Sequence, residues 1–317
     1  MRAARTAVLA ALGVVSSWRL VAAQCPDGTP PPCRQIAAAP VRRPSPPLDE
    51  RTWIVLPFEN LTRTQDIEWL RDASVNLLYL DMSKWRDIRV IDDERVADLI
   101  RDLPAPQRER LGLETGLAVA RRAGAGQLVM GDLVKVGTRT RLVAKIFDVR
   151  MGQRLRNVQE EAANPDSLMA VFTRLASGIL NVPAGEAASL SAVGTNRLEA
   201  YQQYVAGVTA LNGWNLGEAR TRFTRALQLD SVFVLAHYKL AIVLGWESRS
   251  DPAGADHARA AARLAGSLPP RERSLVNGLL AQADNRWGQA CDTYSTLIRT
   301  DSTDVEAWYN LGGVQFP

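Results

Sequence analysis

The sequence predicts two folded regions in series: an α/β domain over residues 51–182 and an all-α solenoid of helical hairpins over residues 196–317. In the first region, short apolar runs with β-branched residues alternate with segments of helical period, as strands and helices do in α/β domains. In the second region, small and aromatic residues recur at a fixed spacing, which is typical of repeat proteins. A proline-rich stretch over residues 24–50 precedes both regions.

The first 23 residues have the layout of a secretory signal peptide. Arg2 and Arg5 precede an uncharged, mostly apolar run, and small residues end the segment. We therefore expect export to the periplasm, with cleavage before Gln24. A membrane anchor is the alternative, although Arg19 interrupts the run before it reaches the roughly 20 apolar residues that span a bilayer.

The charge of the chain at first suggests a polyanionic partner, because its formal net charge is +4 and its pI is about 9.1. Removal of the first 23 residues takes away three arginines and no acid, which lowers the net charge to +1. The remaining arginines alternate with acids, as in Arg271-Glu272-Arg273, and form no patch of the kind that binds phosphates. We expect no nucleic-acid partner, and no membrane insertion after signal cleavage.

Residues 24–50 are rich in proline and poor in bulky apolar residues, so we expect a flexible, extended tether. Within it, Cys25 and Cys33 bracket the turn-rich stretch PDGTPP and can form a small disulfide in an oxidising compartment. Lipidation of Cys25 is less favoured, because Gln24 is a poor residue in front of a lipidated cysteine. Cys291 lies on a helical pattern, and we expect it to behave as a small apolar group.

The elements of the α/β region follow from local patterns. The run TWIVLPF predicts a buried strand, and four apolar residues from Leu70 to Leu80 predict a helix over about residues 66–84. DIRVID predicts a second strand, after which Asp92 or Asp93 caps the next helix. The later elements are a helix over about 114–122 ended by Gly124, a hairpin around Gly137 and Thr138, a strand over about 154–160, and a helix containing Leu168, Val171, Phe172, Leu175 and Ile179.

Four phrases of this region carry a resemblance to a known domain. They are IVLPFENLT at 54–62, IRVIDDERV at 88–96, VARRAGAGQLVMGDL at 119–133 and RLVAKIFDVRMGQRL at 141–155. The stretch over about 51–180 resembles the amino-terminal α/β domain of TolB-like periplasmic proteins. That resemblance implies a domain that is often joined to helical repeats in bacterial envelope and signalling proteins. The β-propeller that follows this domain in TolB itself has no counterpart here, so no role in the TolB complex is implied.

The second region repeats a small, aromatic, small pattern at a spacing of about 34 residues. Ala219, Phe223 and Ala226 lie 12, 16 and 19 residues after Gly207. The same distances from Gly278 lead to Ala290, Tyr294 and Leu297, and a less regular middle unit places Ala253, His257 and Ala260 after Ala241. This pattern resembles tetratricopeptide (TPR) repeats, with a last unit that is incomplete at residue 317. The resemblance implies stacked hairpins in which an aromatic side chain packs against a small residue of the partner helix.

The same resemblance implies a concave groove lined by fixed positions of the first helix of each unit. Aromatic and amide side chains on such a surface suit the capture of a peptide or a partner protein. Packing between repeats is the alternative at each position. The predicted groove residues are Tyr201, Tyr204, Asn212, Tyr238, Trp246 and Gln282.

Patterns that could carry catalysis have simpler structural explanations. The glycine-rich stretch AGAGQLVMGD follows a predicted helix and opens a strand, whereas a dinucleotide fingerprint follows a strand and opens a helix. The adjacent acids Asp92 and Asp93 are expected to be caps and surface charge. His237 suits packing in a repeat, and neither it nor His257 lies near a cysteine pair that could complete a metal site. We expect no catalytic residue, no cofactor and no metal.

These observations together favour an exported, non-catalytic adaptor of the bacterial cell envelope that binds a peptide or partner protein in the groove of the repeats. The alternative is the sensory or regulatory part of a larger bacterial signalling protein, and an enzyme is a third possibility. A mature chain that begins at Gln24 would favour the first.

Overall fold

The apolar runs of the first region form one sheet in the computed structural model. The model describes residues 46–85, 87–182, 194, 195, 197–248 and 252–315. The predicted signal peptide, most of the proline-rich stretch and the Cys25–Cys33 pair lie outside these residues. The strands are β1 Asp49–Val55, β2 Glu59–Asn60, β3 Arg89–Val90, β4 Ala125–Val136, β5 Arg139–Asp148 and β6 Gln153–Ala162.

The sheet is parallel at one side and antiparallel at the other. Its described strands are ordered β3-β1-β4-β5-β6, and β2 pairs with β4 beyond the end of β1. β1 is parallel to both β3 and β4, while β4, β5 and β6 form an antiparallel meander. Gly137 turns the chain between β4 and β5 with a φ of 61°, in the left-handed region that glycine adopts without steric cost.

The helices of this domain begin and end close to the predicted residues. Asp92 caps α2, because its Oδ1 accepts a hydrogen bond of 2.9 Å from the Arg95 backbone N–H. Gly124 ends α4 with a φ of 70°. The short β2 strand and the α3 helix were not predicted. The helices are α1 Leu70–Met82, α2 Asp93–Arg101, α3 Ala105–Glu109, α4 Leu113–Ala123 and α5 Leu168–Leu180.

Helices cover both faces of the sheet. The neighbours Ile54 and Val55 in β1 point to opposite faces, as successive strand residues do, and each is fully buried. Val55 belongs to the core that contains α1 and α5, whereas Ile54 belongs to the core that contains α2 and α4. The predicted α/β domain is therefore confirmed.

The second region is a series of helices, as predicted. Between residues 198 and 315, the described residues form three helical hairpins and one further helix. The bounds are α6 Leu198–Asn212 with α7 Leu216–Leu229, α8 Val234–Glu247 with α9 Pro252–Leu264, α10 Pro270–Ala283 with α11 Trp287–Thr300, and finally α12 Val305–Gln315.

Small and aromatic residues hold the first and third hairpins together. A Cβ atom placed on Gly207 would lie 2.6 Å from the Phe223 ring, and one on Gly278 would lie 2.6 Å from the Tyr294 ring. Both rings are fully buried. The absence of a side chain at each glycine therefore lets the ring of the second helix pack directly on the backbone of the first.

The middle hairpin differs from the predicted register by one residue. Its buried small residues are Gly254, Ala258 and Ala261, whereas the sequence pattern pointed to Ala253, His257 and Ala260. The cause is the spacing of its helices, because α9 begins five positions after the last residue of α8, whereas the second helix begins four positions after the end of the first in the other two hairpins. The extra residue moves the set of inward-facing residues of α9 one position along the sequence.

The α/β domain and the helices share a core. One continuous hydrophobic cluster contains residues of the sheet, of α1 and α5, and of all three hairpins, including Val129, Leu77 and Phe223. The residues from 46 onward accordingly belong to one compact unit. None of the helices in the described part of the chain combines the length and the hydrophobicity that crossing a bilayer requires.

Candidate functional site

The first helices of the hairpins face α1 and α2 of the α/β domain. The Tyr201 hydroxyl on α6 donates a hydrogen bond of 2.7 Å to Asn76 Oδ1 on α1. Further along the array, the Tyr79 hydroxyl on α1 donates to Glu272 on α10. The concave side predicted as a groove is thus covered, over its central part, by helices of the same chain.

Three of the predicted groove residues are buried in this contact. Tyr201, Tyr204 and Tyr238 are 0%, 2% and 3% exposed, respectively. The Tyr204 ring packs 5.1 Å from the Phe233 ring, and the Tyr238 hydroxyl donates to Glu306 Oε1 at 3.0 Å. These tyrosines share the predicted side of the array, but in this structure they contact their own chain.

Lys239 is the centre of a buried ion-pair network between the two regions. Its Nζ lies 2.8 Å from Glu94 Oε1 on α2 and 2.7 Å from Glu306 Oε1 on α12. Burial disfavours the ammonium form, but the charges of Glu306 and Glu94 outweigh burial and raise the pKa of Lys239. The lysine therefore stays charged and joins α8 to both neighbours.

Arg271 on α10 extends the network. Its Nε and Nη2 donate to the two carboxylate oxygens of Asp304 at 2.8 and 2.9 Å, which is bidentate geometry. Its Nη1 donates to Glu272 Oε1 at 3.0 Å, and its Nη2 lies 3.9 Å from Asp92 Oδ1 at the start of α2. A guanidinium group thus connects the third hairpin to the α2 cap.

Acids outnumber bases in this network, and burial shifts their pKa values. Burial raises the pKa of Asp92 to about 7 and raises the pKa of Asp93 and of Glu306. Burial also opposes ionisation of Glu94, but the charges of Lys239 and Arg271 outweigh it and hold the Glu94 pKa below its ordinary value. The expectation that Asp92 carries surface charge is wrong, because α8, α10 and α12 cover the start of α2 and leave Asp92 only 5% exposed, whereas Asp93 is half-buried.

The network encloses little free space. The cavity between Asp93, Tyr204, Lys239 and Glu272 measures about 20 Å³, which is room for one water molecule. Among the described residues, no group of three or more His, Cys, Asp or Glu side chains could hold a metal ion. The arrangement suits a structural junction more than a site for a substrate.

An exposed aromatic patch lies beside this junction. The patch consists of Trp214, Trp246 and Tyr309, which are 61%, 37% and 49% exposed. The Trp214 and Trp246 rings stack at 5.1 Å, and Tyr309 meets Trp246 edge to face at 5.0 Å. Such pairs are favourable geometries for aromatic rings, so the patch is preformed.

Trp214 adopts an unusual backbone conformation. Its φ is 59°, in the left-handed region, where bulky residues are rare. The equivalent residue of the third hairpin is Asn285, seven positions after Gly278, and it has a φ of 58°. Asparagine tolerates this conformation, whereas tryptophan adopts it at a cost of about 1 kcal/mol or more. Trp214 thus keeps a large aromatic ring exposed at a backbone position that disfavours tryptophan, which indicates that the ring has a role at the protein surface.

The other predicted groove residues are distributed as follows. Asn212 and Trp246 line a cavity of about 210 Å³ next to the patch, together with Asp98 and Asn310. Gln282 donates a hydrogen bond of 3.3 Å to the Tyr294 hydroxyl. Binding of a partner by the six predicted residues stays a prediction, and Asn212 and Trp246 are the two on the exposed part of the surface.

The histidines and Cys291 occupy positions at the edge of the repeats. His237 Nδ1 and His257 Nδ1 lie 2.9 Å apart, and His237 Nε2 lies 3.0 Å from the Ser231 carbonyl oxygen. Burial, and then His237, lower the pKa of His257. His237 is half-buried and so is Cys291, which is a free cysteine packed against the core.

Sequence reasoning missed the ion-pair network and two members of the patch. One signal was present: Lys239 interrupts the apolar run LAHYKLAIVLGW, which is hydrophobic on most faces. A helix of that kind is buried on several sides, and a lone lysine in it requires a buried acid. No comparable signal marked Trp214 and Tyr309, because exposed aromatic residues are indistinguishable from core residues in a single sequence.

Comparisons with known proteins add little to this geometry. No family model and no curated protein matches the chain. Among solved structures, the chain is similar to the LpoB C-terminal domain from Salmonella enterica, with 12% sequence identity and a TM-score of 0.27. The similarity covers 36% of this chain and 84% of that one. A similarity of this size identifies neither a family nor a function.

Proposed function

We propose that the protein is an exported, non-catalytic adaptor of the bacterial cell envelope, and that it binds a partner protein through the aromatic patch. The observation that carries this proposal is the preformed cluster of Trp214, Trp246 and Tyr309, of which Trp214 is held in a conformation that disfavours tryptophan. Exposed, prepacked tryptophan and tyrosine residues are the side chains that most often dominate binding energy at protein interfaces.

In this proposal, the α/β domain is TolB-like and the helices are TPR repeats. The Gly207–Phe223 and Gly278–Tyr294 contacts support the second assignment, because they reproduce the small-against-aromatic packing that the repeat pattern implies. A non-catalytic role is supported by the buried acids, which pair with Lys239 and Arg271 around a cavity of only about 20 Å³.

Export is supported by the residue pattern of the first 23 positions alone. N-terminal sequencing of protein taken from the envelope should find a chain that starts at Gln24. Mass spectrometry without reduction should find a Cys25–Cys33 link. A retained N-terminus with free thiols would favour the anchored or intracellular alternative.

Site-specific crosslinking tests the patch. A photoreactive amino acid at position 214 or 246 should crosslink to one partner in envelope preparations, and the same group at Trp287, a 43% exposed tryptophan outside the patch, should not. With the partner purified, Trp246→Ala and Tyr309→Ala should each weaken binding at least about tenfold. Trp287→Ala should leave the affinity unchanged. Equal effects of all three substitutions would refute the patch as the interface.

A further inference from the structure

A cavity larger than the one in the ion-pair network lies next to it, and Asn76, Asp93 and Tyr204 line both cavities. None of the three residues of the aromatic patch lines this larger cavity. It measures about 570 Å³ and lies between α1 and α2 of the α/β domain and α6 of the first hairpin. This volume falls in the range of small-molecule sites, about 300–1,000 Å³. We call it the interdomain cleft.

About half of the residues that line the cleft are aliphatic, and most of the others are charged or polar. Several lining residues are only half-buried, although they are apolar, because one side of each faces the free space. A hydrocarbon body would remove these faces from water. The aliphatic lining residues are Val75, Val96, Ile100, Leu111, Val205 and Val208, and the lining includes the edge of Tyr204.

Three arginines supply the charge of the cleft. Arg108 forms no ion pair or hydrogen bond with any described residue, whereas Arg71 is paired with Glu68 at 2.8 Å and donates to the Glu109 carbonyl oxygen at 3.2 Å. The Arg71 Nε is buried and has no acceptor. Arg101 is paired with Asp98 at 2.5 Å. Arg108 is therefore the one of these three arginines whose guanidinium has no described partner, and its N–H groups are open to an anion.

Two acids also line the cleft and oppose an anion. Asp93 accepts a hydrogen bond of 2.9 Å from Asn76, and Asp72 lies on the wall formed by α1. Burial raises the pKa of both carboxyls, so that each is neutralised more readily beside an anion than an exposed aspartate would be.

We propose that the interdomain cleft binds a small aliphatic carboxylate, with its hydrocarbon chain between α2 and α6 and its carboxylate at Arg108. The aliphatic walls, the volume and the unpaired arginine each point to this class of ligand. A cationic amphiphile of the same length would place its charge against arginines, so it should bind more weakly.

Isothermal titration calorimetry with dodecanoate, kept below its micelle-forming concentration, tests the proposal on the full chain. Dodecanoate should bind at one site, at least about fivefold more tightly than dodecyltrimethylammonium, which has the same chain and the opposite charge. Val208→Trp should weaken dodecanoate binding at least about tenfold by filling the cleft, whereas Val232→Trp, at an exposed position, should not.

Arg108→Gln provides a second measurement that does not depend on the bulk of the Val208 variant. It should reduce the affinity for dodecanoate at least about fivefold and leave the affinity for dodecyltrimethylammonium unchanged or improved. Trp246→Ala should have no effect, which separates this site from the aromatic patch. Undetectable dodecanoate binding, equal affinities for the two head groups, or unaltered binding by Val208→Trp and Arg108→Gln would overturn the proposal.

Discussion

Lys239 Nζ on the second helical hairpin lies 2.8 Å from Glu94 Oε1 on α2, so one ion pair joins residues 145 positions apart in the sequence. Both side chains are largely removed from water, and Glu306 completes the pair from α12. Buried ion pairs therefore join the inner side of the helical array to the start of α2. A partner that used the central part of the groove would have to displace α1 and α2.

Loss of Lys239 should destabilise the fold strongly. Lys239→Met removes the cation between Glu94 and Glu306 and leaves them with only Arg271, which is 3.7 Å from Glu306. Breaking a buried pair costs about 3–5 kcal/mol. Urea unfolding should show this loss. The control is Lys145→Met, which removes a more exposed pair with Asp132 and should cost about 1 kcal/mol or less. Similar losses in the two variants would mean that the junction contributes no more than a surface pair.

The Asp92 carboxyl should make stability depend on pH. Burial raises its pKa to about 7, whereas an aspartate in an unfolded chain titrates near about 3.9. Because the folded pKa is the higher one, the stability that this group contributes is present in full below pH ~4 and is lost as the pH rises through about 7.

Asp92→Asn isolates this effect, because asparagine does not titrate and still caps a helix. The unfolding free energy of the wild type, relative to that of Asp92→Asn, should fall by up to about 1.4 kcal/mol per pH unit between about pH 4 and 7. Urea unfolding at several pH values measures it. Parallel pH profiles for the two proteins would show that Asp92 is ionised at the same pH in both states.

The order of elements was predictable because it depends on local patterns. The strands, the Asp92 cap and the Gly124 helix end each follow from residues next to one another in sequence. The packing of Phe223 on Gly207 was predictable for a related reason, since a repeat shows the same contact twice. The middle hairpin shows the limit, because one extra link residue shifted its register without changing its composition.

The contents of the groove could not be predicted in the same way. The repeat predicted that Tyr201, Tyr204 and Tyr238 lie on one side of the array. It did not predict which residues contact them there, because those contacts join segments that are distant in the sequence. Periodicity identifies a buried face and does not identify what buries it. The same limitation explains why Asp92 was assigned to the surface.

Gly207 should be intolerant of even a methyl group. Gly207→Ala would place its Cβ 2.6 Å from the Phe223 ring, and relief of that overlap should cost about 1–3 kcal/mol in urea unfolding. Gly217→Ala, on the second helix of the same hairpin, meets no atom within 4 Å and should stabilise by up to about 1 kcal/mol. Combining Phe223→Leu with Gly207→Ala should recover part of the lost unfolding free energy. Destabilisation by Gly217→Ala would contradict the explanation that steric overlap, and not loss of glycine itself, destabilises Gly207→Ala.

Trp214 should illustrate a conflict between stability and binding. At a φ of 59°, alanine is strained and glycine is not, so Trp214→Gly should be more stable than Trp214→Ala by about 1 kcal/mol, although neither has a ring to stack on Trp246. Both should lose affinity for the patch-binding partner equally, at least about tenfold, because both lack the same ring. Urea unfolding and calorimetry with the crosslinked partner measure the two quantities.

A glycine variant that is less stable than the alanine variant would mean that the left-handed conformation is absent in solution. A glycine variant that keeps full affinity would mean that the ring at position 214 is exposed for a reason other than binding.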